Sequence, residues 1–223
     1  MPENGKPYVT ALYPEQHDQA ADSLGRAFIN DPVFKAIIPD ITDPVARATH
    51  LADLFRGMLA MERRSGQPVF GVIDDNGRVV AAAMTEGIRH PGAFGLVATG
   101  LGQMPQMIRA IGLGGMWRAL NLVSVLADNH PKEPHLYLQV LGCDPPFQGK
   151  GYGKALVDRL ALEAKARPEI AGVYLETMTE ANVAFYSSRG YEVLGELYPL
   201  GVRTWRMYQR KAEVTPAPST KKK

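Results

Sequence analysis

One stretch limits what this chain can become: residues 135–166, which run from an extended segment through a glycine-rich loop into a helix. Leu136, Leu138 and Val140 alternate with Tyr137, Gln139 and Leu141, the period of a strand with two faces. Gly142 interrupts it, and a glycine there signals a bulge or the close approach of another group. Pro145 and Pro146 end the strand, because neither can donate a backbone hydrogen bond. Gln148, Gly149, Lys150, Gly151, Tyr152, Gly153 and Lys154 follow. They open into a helix striped by Leu156, Leu160 and Ala164 and widened by Val157 and Ala161.

Such a loop is suited to anions. The first amides of a helix have no intrahelical acceptors and lie at the positive end of its dipole. Glycines remove the side chains that would hold a phosphate away, and Lys150 and Lys154 add mobile positive charge. Two commoner phosphate loops are excluded. A Walker loop needs glycine at position 148 and a hydroxyl residue after Lys154, where Gln148 and Ala155 stand. The dinucleotide fingerprint fails because the glycines run at 149, 151 and 153.

What matches is Gln-x-x-Gly-x-Gly after a strand ending Leu141-Gly142-Cys143. This resembles the acyl-CoA-binding motif of the GNAT acetyltransferase superfamily. The resemblance implies that Leu141, Gly142, Cys143, Gln148, Gly149, Lys150, Gly151, Tyr152, Gly153 and Lys154 bind acetyl-CoA, with the loop on its pyrophosphate. A second signature of the superfamily lies in Glu180 to Tyr191, where Asn182 and Tyr186 are four apart and share a helical face. By the same resemblance Asn182 contacts the pantetheine arm and Tyr186 lies near the sulfur as general acid. Phe185 reads as a core aromatic and is placed with the cofactor-binding set.

Segments from His130 to Pro134, Leu175 to Thr177 and Arg203 to Trp205 extend the likeness to puromycin N-acetyltransferase and its relatives. In the N-terminal half only Ala27-Phe28 and Asp31-Pro32 follow the pattern. The implied chemistry is direct attack of a small-molecule primary amine on acetyl-CoA, with no metal. Backbone amides at Leu141 to Cys143, freed by distortion at Gly142, hold the developing oxyanion. Glu176 is the candidate base, and a structural carboxylate paired with an arginine is the alternative. His135 is a weaker candidate that reads as a strand-edge residue. Cys143 raises an acetyl-cysteine route, but without a paired histidine it reads as structural. A protein N-acetyltransferase and a non-catalytic acyl-CoA sensor are the other functions left open.

The remaining chain fits one mixed α/β domain over residues 1–213, a twisted, mostly antiparallel sheet with helices on both faces and a splayed central pair of strands. Strands are expected at Tyr8–Leu12, Val69–Asp74, Arg78–Thr85, Gly172–Met178, Tyr191–Leu194 and Thr204–Gln209. Helices are expected from Pro14 to Asn30, Val33 to Ile38, Pro44 to Ser65, and Thr179 to Arg189. Residues 87–129, rich in glycine and methionine, form one or two helices that serve as an acceptor-pocket wall, as packing on the sheet, or as both. The tail 214–223 is basic, proline-rich and frayed. A net charge of +2 gives no argument for nucleic acid, and no uncharged apolar run reaches a membrane span. One cysteine and an opening without signal-peptide character point to the cytoplasm. A homodimer is left open.

Overall fold

A computed structural model describes residues 7–87 and 102–211. Gly100 and the basic tail from position 214 lie outside the described residues. The elements run β1 (Val9–Ala11), α1 (His17–Ala27), α2 (Pro32–Ile37), α3 (Pro44–Ser65), β2 (Phe70–Ile73) and β3 (Val79–Glu86). Then come α4 (Met104–Ala127), β4 (Leu136–Cys143), α5 (Tyr152–Ala166), β5 (Gly172–Thr177), α6 (Glu180–Ser187), β6 (Glu192–Leu197) and β7 (Thr204–Arg210).

Local chemistry sets the helix boundaries. The Asp31 carboxylate accepts from the amides of Val33 and Phe34 at 2.9 and 3.1 Å, and Pro32 supplies a first helical residue that needs no acceptor. Asp43 and Pro44 repeat this device for α3, which ends at Gly66 in the left-handed conformation. The helix expected to reach Asn30 stops at Ala27, since capping of α2 by Asp31 fixes the intervening turn. Residues 104–127 form one helix broken by Gly112, whose backbone (φ 70°, ψ 170°) no helix accommodates. By length and apolarity α4 meets the test for a membrane span, while its Ala110, Ile111 and Met116 are buried in the core shared with α2 and α3.

The strands form one sheet in the order β1-β2-β3-β4-β5-β7-β6. Every neighbouring pair is antiparallel except β4 and β5, which α5 connects as the crossover a parallel pair requires. One face carries α1 to α4 over Leu24, Leu51, Phe55 and Met84. The other carries α5, whose Leu156, Val157 and Leu160 pack with Phe70, Val80 and Leu138. Burying each such leucine contributes about 1.5–3 kcal/mol.

The irregularity expected at Gly142 is elsewhere. Gly142 pairs regularly with Ala82, and the register instead slips between Val140, opposite Met84, and Leu138, opposite Thr85. Gln139 is therefore the extra residue of a β-bulge. A bulge exchanges the two faces of a strand beyond it. Leu136 and Leu138 accordingly pack on the α5 side, whereas Val140 packs under α1 and α3. The uninterrupted alternation expected from sequence fails at this point. Gly142 serves the second purpose named for it: a Cβ there would lie 2.8–3.0 Å from Leu24, Phe28 and Ala27 of the α1 region, so only glycine admits that close contact.

Candidate active site

β4 and β5 pair only from Leu136 opposite Val173 to Leu138 opposite Leu175, then diverge. The amide of Asp144 donates to Val80 on β3 at 2.9 Å. Amides alternate sides along a strand, so those of Val140 and Gly142 also face β3. Those of Leu141 and Cys143 face the opening left by β5. The bulge one residue before Val140 sets this phase; distortion at Gly142 does not.

A groove of about 610 Å³ begins at these amides and runs along the start of α5. Leu141, Gly142, Cys143 and Gln148 line one part, and Gln148 Nε2 donates to the Cys143 carbonyl at 3.1 Å, tying the loop to the strand end. Gly149 and Gly151 line the turn with φ values of 77° and 82°, a backbone that side chains rarely adopt. Tyr152, Gly153 and Lys154 continue it along the helix start. Lys150 does not line the groove; its Nζ sits 4.9 Å from the Phe147 ring centre. Asn182 and Phe185 of α6 form the far wall, and Thr179 caps that helix by accepting from the Asn182 amide. The bare glycine backbone at the helix start fits a pyrophosphate.

Arg189 also lines the groove, with its guanidinium over Phe185 and a buried Nε that has no hydrogen-bond partner among the described residues. Sequence reading gave it no role, although it stands inside the second signature.

A second cavity, about 260 Å³, adjoins the groove. Phe28, Asp31, Leu141 and Asn182 line both, so the two spaces meet at Leu141, whose amide faces away from β3. This junction includes the loosely matched positions Phe28 and Asp31 of the N-terminal half. Much of the wall is apolar: Met58 and Met61 come from α3, and Met104, Met107 and Met116 from α4. α4 therefore both lines a cavity and packs in the core.

Glu176 and Tyr186 face this cavity. The Glu176 side chain is 2% exposed, and burial pushes its carboxyl up to about 7 against the opposing pull of the Tyr137 and Tyr174 hydroxyls and Arg206. Arg206 also donates through Nη1 to the Asn129 carbonyl at 3.0 Å, and His130 Nε2 lies 3.7 Å from Glu176 Oε1. Tyr186 is buried, which raises its hydroxyl above the ordinary tyrosine value and keeps it protonated at neutral pH. Burial also pushes the Cys143 thiol up to about 11, which disfavours a thiolate nucleophile. His135 is not a strand-edge residue: it is buried, with Nδ1 at 2.8 Å from the Glu133 carbonyl.

Glu62 of α3 lines the cavity as well, and burial together with the Glu86 charge raises its carboxyl to about 7. The folded state then keeps a proton that the unfolded chain releases near its ordinary value of 4.5. Stability attached to that proton is present below pH 4.5 and is lost as pH rises to about 7, at about 2–3 kcal/mol. Glu62→Gln is expected to shrink the fall in Tm between pH 5 and pH 8 by roughly 5–10 °C. An unchanged fall in thermal melts would contradict the assignment.

Known proteins share this architecture. A structure described as histone acetyltransferase HPA2 and related acetyltransferase, from Corynebacterium glutamicum, superposes with TM-score 0.68 at 23% identity, covering 94% of this chain and 98% of that one. The polyamine N-acetyltransferase of Drosophila melanogaster, which forms N-acetylagmatine, gives 0.60 at 15% identity over 91% and 98%. A phosphinothricin acetyltransferase from Sinorhizobium meliloti in complex with acetyl-CoA gives 0.53 at 14% identity over 92% and 88%. At these identities the likeness establishes the fold. The profile of the acetyltransferase (GNAT) family matches residues 36–191, most of the chain and both signature segments, and the chain belongs to that family.

Proposed function

We propose that the protein transfers an acetyl group from acetyl-CoA to a primary amine of a small molecule, by direct attack within a ternary complex. The observation that carries this reading is the junction at Leu141 and Asn182, where a glycine-lined groove meets a largely apolar cavity that holds the buried carboxyl of Glu176, beside those of Glu62 and Glu86, and the buried phenol of Tyr186. A cavity of about 260 Å³ suits a compact amine with an apolar body better than a peptide segment. That contrast favours a small molecule over a protein acceptor. An aminonucleoside such as puromycin is one member of the class to be tried, on the sequence likeness described above.

Acetyl-CoA supplies an acyl group activated by its sulfur. The amides of Gly149 and Gly151 and the start of α5 would hold its phosphates. The Leu141 and Cys143 amides would stabilise the negative charge that grows on the acyl oxygen. Glu176 takes one proton from the entering ammonium, leaving the neutral amine that can attack. Tyr186 gives its hydroxyl proton to the departing sulfur and recovers one from the nitrogen as the amide forms. Cys143 takes no covalent part.

Removing the Tyr186 hydroxyl tests the acid role. Tyr186→Phe is expected to lower kcat about a hundredfold or more while acetyl-CoA affinity stays within a few-fold of the parent protein. Steady-state kinetics with calorimetric binding makes the comparison, and an unchanged kcat would remove Tyr186 from the mechanism. Acetyl-CoA binding with no amine-dependent thiol release would instead support a sensor that binds without turnover.

A further inference from the structure

Four carboxyl groups line the cavity beside the groove, from Asp31, Glu62, Glu86 and Glu176, and among the described residues no lysine or arginine lines it. Three of the four have a use. Asp31 Oδ1 accepts from the amides of Val33 and Phe34 and so caps α2. Glu86 Oε1 accepts from Gln139 Nε2 at 2.6 Å. Glu176 is the base of the proposed transfer. Glu62 has no such use. We propose that Glu62 holds a second positively charged nitrogen of the acceptor, so that the preferred substrate is a diamine anchored at one end and acetylated at the other. The inference rests on reading this cavity as the acceptor site.

Glu62 is buried without being satisfied. The residue is 7% exposed. Ser65 Oγ lies 2.9 Å from the Glu62 backbone carbonyl and 3.4 Å from Glu62 Oε2. A hydroxyl has one hydrogen, and the shorter contact takes it. Among the described residues no cation acts on the carboxyl. Burial of a carboxyl in this condition is costly, and an entering ammonium would supply the charge-assisted hydrogen bonds that are missing. The helix adds to this preference. Glu62 stands in the last turn of α3, where the negative end of the helix dipole opposes a carboxylate and favours a cation.

The position of Glu62 separates it from the reacting centre. Glu62 and Glu86 line the cavity and not the groove. Along β3, Ala83 stands opposite Leu141 and Glu86 opposite Tyr137. Three residues of strand span about 10 Å. Glu62 lies close enough to Glu86 for the charge of Glu86 to help hold the Glu62 proton. A ligand that reaches from the Leu141 amide to this pair therefore needs an extended spacer. Met58, Met61, Met104 and Met107 share the lining and suit a hydrocarbon chain.

Binding has a proton balance. With its carboxyl raised to about 7, Glu62 holds a proton at pH 6. When the far ammonium arrives, the Glu62 O–H bond breaks, the proton passes to the buffer, and the carboxylate accepts from the ammonium. A monoamine of the same length brings no charge to that end and displaces no proton there.

Two measurements test this. Steady-state kinetics compares 1,6-diaminohexane with hexylamine, which differ only at the far end. The parent protein is expected to favour the diamine in kcat/KM by about ten- to a hundredfold, the range of a hydrogen bond to a charged group, and Glu62→Gln to lose most of that preference. A parent protein that treats the two alike or favours hexylamine, or a preference that survives in folded Glu62→Gln, would overturn the proposal. Calorimetry at pH 6 with CoA present, in two buffers of different ionisation enthalpy, is expected to find a proton released by the diamine that hexylamine does not release and that Glu62→Gln lacks. Equal release by both ligands would overturn it as well. Should no amine be acetylated, the transfer reading fails and calorimetry alone decides. The second-cation site stands if the diamine binds the parent protein more tightly than hexylamine and loses that advantage in Glu62→Gln, and it falls otherwise.

Discussion

Replacing Gly151 by glutamate is expected to weaken acetyl-CoA binding by at least about a hundredfold, close to 3 kcal/mol. Three effects coincide at this position. Gly151 is the residue just before α5 and has φ 82° and ψ 6°, a left-handed backbone that costs a side-chain-bearing residue about 1–3 kcal/mol. Relaxing that strain would turn the amides of the loop away from the groove. A carboxylate would also stand at the positive end of the helix, where the pyrophosphate is expected. Gly153 provides the internal contrast. A Cβ added there would make ordinary 3.7 Å contacts with Leu141 and Phe185, so Gly153→Ala is expected to bind almost normally, whereas Gly153→Glu fills the groove. Calorimetry on the three variants, each checked by thermal melting, separates these effects. Binding within threefold of normal in folded Gly151→Glu would contradict the groove assignment.

Glu176→Gln carries the second large effect. The amide keeps the shape of the side chain and removes its capacity to accept a proton, so kcat/KM for the amine is expected to fall about a hundred- to a thousandfold. The pH dependence gives the sign. A carboxyl raised to about 7 is protonated and inert as a base below that pH, and becomes competent as pH rises through it. The parent protein should therefore gain activity across pH 6 to 8 beyond what the titration of the amine itself supplies. The amine contributes equally to both proteins, so the ratio of their profiles isolates the Glu176 limb. Parallel profiles would assign Glu176 a structural role.

The parts of this molecule that sequence made legible are those whose chemistry is local. Gln148, Gly149, Gly151 and Gly153 announce a glycine-rich helix start because the backbone there dictates residue type, and the structure places all four along one groove. Helical spacing pairs Asn182 with Tyr186, and the two line one cavity together. The bulge at Gln139 was not legible. Leu136, Leu138 and Val140 read as one apolar face, and only the register against β3 reveals that the strand turns over between them. The approach of His130 to Glu176, 3.7 Å apart, was likewise not legible, because β5 lies far along the chain from His130. The methionines of α4 gave a partial signal: their adaptability suggested a wall, but the cavity exists only once α3 and β4 face them.

The central claim is that the groove and the cavity together transfer an acetyl group to a small amine. Release of free thiol from acetyl-CoA, followed across a panel of alkyl-, aryl- and diamines with puromycin included, tests it most directly. Amine-dependent release that collapses in Tyr186→Phe is the predicted result. Thiol release that no amine accelerates, from a protein that binds acetyl-CoA in calorimetry, would contradict it.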